Sequence, residues 1–235
     1  MMTLSYFIWI YLISYAASIL AALFARLPVF SSAEQDIKAE IALTVISTAI
    51  AMMLNIIAGM FVCGVCLYYL NISTGRDAAP GDIFRGFREN PSEVFKVSAF
   101  LTLPSVIFSI PINILADIYI MTDEAKYLYI SIVLFVSAVI VSLYIHLTYG
   151  IAYFVMLDFP TYSAAKILSV TRKKMEGQRT RLFMLDLRFV PMFILGILSA
   201  GIGLIWIHPL ITESRALFFL NLMNPNHHIP IDERI

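Results

Sequence analysis

The residues that could do chemistry here are few. Cys63 and Cys66 form a C-x-x-C, the spacing of a redox pair or of half a zinc site. They stand between "MFV" and "LYY" in an apolar run, with no second Cys/His pair at zinc spacing, so they read as small residues packing a helix interface. Histidines occur at 146, 208, 227 and 228, scattered, and the sequence holds no HExxH, GxSxG, phosphate loop or dinucleotide fingerprint. The expectation is a chain that is not an enzyme and takes no cofactor or metal. His146, in "SLYIHLTYGIAYF", reads as an interhelical histidine held by tyrosines rather than a proton relay.

Four more charges stand inside apolar segments, where an unpaired ionisable group costs a few kcal/mol or more. Asp186 and Arg188 open "LDLRFVPMFILGIL"; Glu213 and Arg215 lie in "PLITESRALFFLNL". Residues two apart do not share a helical face. Glu213 or Arg215 can therefore pair with Asp186 or Arg188 across a hairpin if their depths match, a polar network to which His146 is the fifth candidate. The opposing expectation is a shallow final helix with its charges in water.

Composition says what must position these residues. Of 235 residues, 60% are hydrophobic and 14% charged, with net charge zero and a mean hydropathy of +0.85. A soluble domain has about 45–50% apolar and about 25% charged residues. No small core could bury this much apolar surface, so the expected fold is all-α, a polytopic membrane helix bundle. Nothing calls for a nucleic-acid partner.

A span takes about 20 apolar residues. Six are expected, at about 4–27, 41–69, 94–120, 127–157, 182–200 and 204–223, in a single domain followed by a flexible polar tail, 224–235. The first reads as retained: "MMT" carries no charge, and the run exceeds the usual signal-peptide core. The third is interrupted by Pro104 and Pro111.

Segments 71–96 and 158–188 hold eleven Lys/Arg, whereas 26–40 and 117–126 hold three. Basic loops stay in the cytoplasm, which puts the N-terminus inside and, if the sixth span crosses, the C-terminus also. Both basic loops read as amphipathic elbow helices. In the first, Asp82 caps a short helix with Ile83, Phe84 and Phe87 on one side and Arg85 and Arg88 on the other, ended by Pro91. In the second, Ala164, Ile167 or Leu168, Thr171 and Met175 recur at helical spacing, with Gly177 as C-cap. Its cations, Lys166, Arg172, Lys173, Lys174, Arg179 and Arg181, are the candidate contacts to anionic headgroups or to a partner. Gly201, Gly203 and Pro209 form a joint, or hinge, between the last two spans.

The final third resembles the DUF975 family of bacterial integral membrane proteins. The resemblance is carried by Met175, Gly177, Leu182, Phe183, Leu185, Leu187, Phe189, Gly201, Gly203, Trp206, Pro209 and Phe218-Phe219, and by the loop Gly75 to Phe87. Pro191 and Leu210 depart from its pattern, which usually has an aromatic and a tyrosine there. The family is distantly similar to the non-catalytic membrane domains of glycerophosphodiester phosphodiesterases. The resemblance implies a bacterial cytoplasmic-membrane protein of about six helices and no assigned activity. The functional expectation is a non-enzymatic accessory or partner-binding subunit, whose partners are anionic membrane lipids and another membrane protein or cytoplasmic subunit. The alternative is a transporter or lipid-binding protein for lipids or small molecules.

Overall fold

A computed structural model describes residues 37–199 and 203–224. The expected first span, Gly201, the tail from 225 onward and its two histidines lie outside these residues. Every element among the described residues is helical: α1 (Ile37–Ser73), a 3-10 turn (Pro80–Phe84), α2 (Arg85–Arg88), α3 (Pro91–Thr122), α4 (Ala125–Tyr149), α5 (Ala152–Asp158), α6 (Ala164–Met175), α7 (Arg179–Leu198) and α8 (Leu204–Met223).

Three stretches are long and apolar enough to cross a membrane: Thr44–Ser73, Pro91–Thr122 and Ala125–Asp158. In the most apolar part of the second nothing is buried, and in that of the third only 6%. Side chains such as Val133, Phe135, Val136 and Ile140 of α4 are more than half exposed. A face like this would be untenable in water over such an area and is ordinary against hydrocarbon.

Local chemistry explains the helix ends. α1 stops in a Schellman motif: the Arg76 N–H donates to the Asn71 carbonyl and the Gly75 N–H to that of Ile72. Gly75 adopts φ +71°, a conformation that glycine reaches without a Cβ penalty. Pro91 opens α3 instead of closing the helix before it, a correction to the expectation from sequence. At the first helical position its missing N–H costs nothing and its fixed φ suits the turn. Asp82 likewise sits three residues into its turn rather than ahead of it, and its carboxylate accepts from the Ala79 N–H and from Asn71 Nδ2, both at 3.1 Å. α3 runs unbroken through Pro104 and Pro111. The expected fourth span is divided at Gly150-Ile151, between α4 and α5.

The chain forms two compact units. One holds residues 37–59 and 95–146; in it the Thr44 hydroxyl of α1 donates to Asp117 of α3 at 3.3 Å. The other holds residues 60–94, 147–199 and 203–224. Its core is dense: Cys63, Val94, Ile151, Phe154, Ile167, Met175, Leu182 and Phe219 are each at most 2% exposed. The C-terminal half of α1 is wrapped by this core, and glycine makes the wrapping possible. A methyl group on Gly64 would run into the Ile83 carbonyl, and one on Gly86 into that of Met60. Cys63 and Cys66 are both buried beside Gly64, with free thiols.

Candidate functional site

Three polar features stand out in this second unit. The first is built on α6. Ala164, Ile167, Thr171 and Met175 are buried along one stripe, while Lys166, Arg172, Lys173 and Lys174 are exposed. Ser163 caps the helix, its hydroxyl accepting from the Lys166 N–H at 3.4 Å. The Ala164 N–H donates instead to the Glu93 carboxylate, 2.6 Å away and 71 positions earlier. Asn90 Nδ2 donates to the Pro160 carbonyl, also at 2.6 Å, so two bonds tie the start of α3 to the start of α6.

At the other end of α6 the chain turns sharply. Glu176 has φ −60° and ψ 123°, Gly177 has φ +78°, and the Gln178 N–H donates to the Met175 carbonyl. This is a type II turn, with glycine at the position that requires positive φ, rather than the C-cap expected from sequence. The turn brings Arg172, Lys173 and Lys174, favourably placed at a helix C-terminus, next in the chain to Arg179 and Arg181, which open α7. Cations at a helix N-terminus oppose its dipole, so the local helix does not account for them. Arg181 lies over the Phe218 ring, 5.6 Å from its centre.

The second feature is the antiparallel α7–α8 hairpin. Arg181 meets Phe218, Asp186 meets Arg215, Phe193 meets His208, and Gly196 meets Gly203, each contact further along α7 and further back along α8. The Asp186–Arg215 pair is direct: Arg215 Nη2 and Nε reach Asp186 Oδ1 at 2.8 and 3.3 Å, with both side chains about a quarter exposed. Of the pairings that sequence left open, this is the one that forms. Arg188 is exposed and Glu213 half-buried. His146 lies in the other unit, at an exposed position in the last turn of α4. Gly203 is in helical conformation at the start of α8, where an added Cβ would come within 2.9 Å of the Gly196 Cα. Its use here is close approach. Pro209 is the sixth residue of α8, one turn further in than a helix-opening proline.

The third feature was not foreseen. A cleft of about 330 Å³, its open mouth included, is lined by Cys63, Arg85, Glu89, Asn90, Met156 and Pro160. The space inside it has room for about one water molecule. Arg85 is ion-paired with Glu89 at 2.6 Å, the two side chains 42% and 50% exposed. Phe84 and Phe87, which do not line the cleft, set their rings edge-on to Phe61, at 5.8 and 4.8 Å. Sequence could supply the arginine but not its cleft, which needs Asn90 and Pro160 brought together from 70 positions apart. Among the described residues no group of His, Cys, Asp or Glu is placed to hold a metal ion.

These features define an all-helical chain, in its described residues, with three helices that could span a membrane and with its polar chemistry gathered at helix ends. The sequence profile of DUF975, a protein family of unknown function, matches residues 93–226, more than half of the chain. The chain belongs to that family. No curated protein and no solved structure matches it.

Proposed function

We propose that this chain is a non-catalytic integral protein of the bacterial cytoplasmic membrane, crossing it six times with the N-terminus inside, and that its basic α6–α7 turn docks a partner subunit at the anionic inner surface. The observation that carries the reading is the segregation on α6. Its apolar stripe is spent on the core, and its cations, continued by Arg181 past the type II turn, face outward. A cluster of four to eight cations beside membrane helices gains about 1 kcal/mol per charge near anionic lipid. The test has two parts. A cysteine placed at Lys173 should resist an impermeant thiol reagent in intact cells and react after lysis; labelling from outside overturns the orientation. Gentle extraction and native mass spectrometry should find a protein bound in fixed ratio, lost when Arg172, Lys173 and Lys174 are changed to Gln. Retention unaffected by those changes overturns the docking surface.

One observation favours a second reading, a transporter or lipid handler. Ionisable pairs within apolar helices mark substrate pathways in many membrane proteins, and Asp186–Arg215 is such a pair. That reading requires a lipid or solute bound in fixed ratio and displaced by changing the pair.

A further inference from the structure

The elbow that follows α1 folds back along it, and its contacts fix how far. Asn71 Nδ2 donates to the Asp82 carboxylate. The Ile83 carbonyl then lies against Gly64, and Gly86 against the Met60 carbonyl. Phe84 and Phe87 set their rings on Phe61. At about 1.5 Å per residue, Gly64 and Met60 stand about 14 and about 20 Å before the end of α1 at Ser73. The elbow therefore reaches well down the stretch Thr44–Ser73, which is apolar enough to cross a membrane.

The side chains at that level decide whether it is oil or water. Those of Arg85 and Glu89 are 42% and 50% exposed, and Arg88 is exposed between them in sequence. Charges left uncovered in hydrocarbon cost a few kcal/mol each or more, so α1 leaves the hydrocarbon at about Met60. Residues 63–67, just beyond, are buried on every side by the protein itself. The sequence has room for this exit. Ile41–Met60 carries no charge and is long enough for one crossing of about 30 Å, with Lys38 and Glu40 just before it. At the exit, Phe84 and Phe87 are 50% and 37% exposed, and Ile57, 44% exposed, lies one turn further in on the α1 face that carries Phe61. Uncovered aromatic rings continuous with an apolar helix face, with cations among them, make up a segment that lies in the boundary between headgroups and acyl chains.

We propose that Phe84, Phe87 and Arg88 form the surface by which this elbow rests in the headgroup layer, the rings toward the acyl chains and Arg88 toward lipid phosphates. Residues of α1 beyond about Gly64 then stand outside the hydrocarbon. The inference rests on the reading that the chain lies in a membrane, but on neither its direction of insertion nor the role of the α6–α7 turn.

The full-length protein would be reconstituted in vesicles of phosphatidylethanolamine and phosphatidylglycerol. An environment-sensitive fluorophore would be attached to Met53→Cys, Phe84→Cys or Ile72→Cys, all exposed positions, the two native thiols being buried. The quenchers are lipids carrying a nitroxide near the headgroup or near the chain end, and iodide on both sides of the vesicle. The label at 53 should be quenched most by the deep nitroxide and the label at 84 most by the shallow one. The label at 72 should yield to iodide and to neither lipid. Arg88→Cys, at the level of Phe84, should repeat its pattern and takes its place if Phe84→Cys fails to fold. A label at 84 or 88 that no lipid quencher reaches overturns the proposal. So does a label at 72 quenched by the deep nitroxide as strongly as the one at 53. A label at 53 indifferent to both lipids overturns the membrane reading itself, and this inference with it.

Discussion

The Asp186–Arg215 pair can be assigned a magnitude. An exposed ion pair contributes about 0–1 kcal/mol, whereas deleting one partner of a fully buried pair costs about 3–5 kcal/mol because the other charge is stranded. Here the side chains are 23% and 26% exposed, and the contacts are 2.8 and 3.3 Å. Discounting for that exposure gives about 2 kcal/mol for Arg215→Met or Asp186→Leu alone, which is about thirtyfold in the folded-to-unfolded ratio. The double variant removes both charges and leaves none stranded, so it should lie within about 1 kcal/mol of the parent. Exchange of the two, Asp186→Arg with Arg215→Asp, should restore part of the loss, because the hairpin holds both positions at one level. The assay is thermal and chemical unfolding in detergent, analysed as a double-mutant cycle. A coupling energy below about 0.5 kcal/mol would mean that the pair is screened by water and does not fix the register of α7 on α8.

Gly64→Ala forces a methyl group into the Ile83 carbonyl and should cost about 1–3 kcal/mol in the same assay, while Gly81→Ala, with open space around it, should cost little. Gly177→Ala meets no neighbour but must hold φ +78°; a loss of about 1–2 kcal/mol is expected, with the α6–α7 linkage more open to protease. Glu93→Ala strips the Ala164 N–H of its acceptor and should cost about 1 kcal/mol, whereas Glu93→Gln, which keeps an acceptor oxygen, should recover most of it; equal losses would refute the capping role.

Much of the helical layout was legible because it is written at short range. The stripe Ala164, Ile167, Thr171 and Met175 has a 3.6-residue period, and it is the set the core buries. The bounds of α8, 204–223, were likewise readable from its apolar run. The misreadings were also local, where one residue has two uses. Proline ends a helix or opens one, and at 91 it opens α3; glycine caps a helix or turns a loop, and at 177 it turns one. What sequence could not show was long-range pairing. Glu93 on Ala164, Asn90 on Pro160 and Gly64 on Ile83 have no period to betray them. The polar cleft is closed by one such pairing, Asn90 on Pro160, and so it appeared only in three dimensions.

The dressing of α1 bears on how the protein meets bilayers of different thickness. At 37 residues the rod is about 55 Å long, nearly twice the oily layer it would cross. From about Met60 onward its sides are upholstered by its own chain, while Val45, Ile46, Ile50 and Met53 stand bare. The naked part offers lipid the most apolar surface of this helix, so thinning or thickening of the sheet falls first on those side chains.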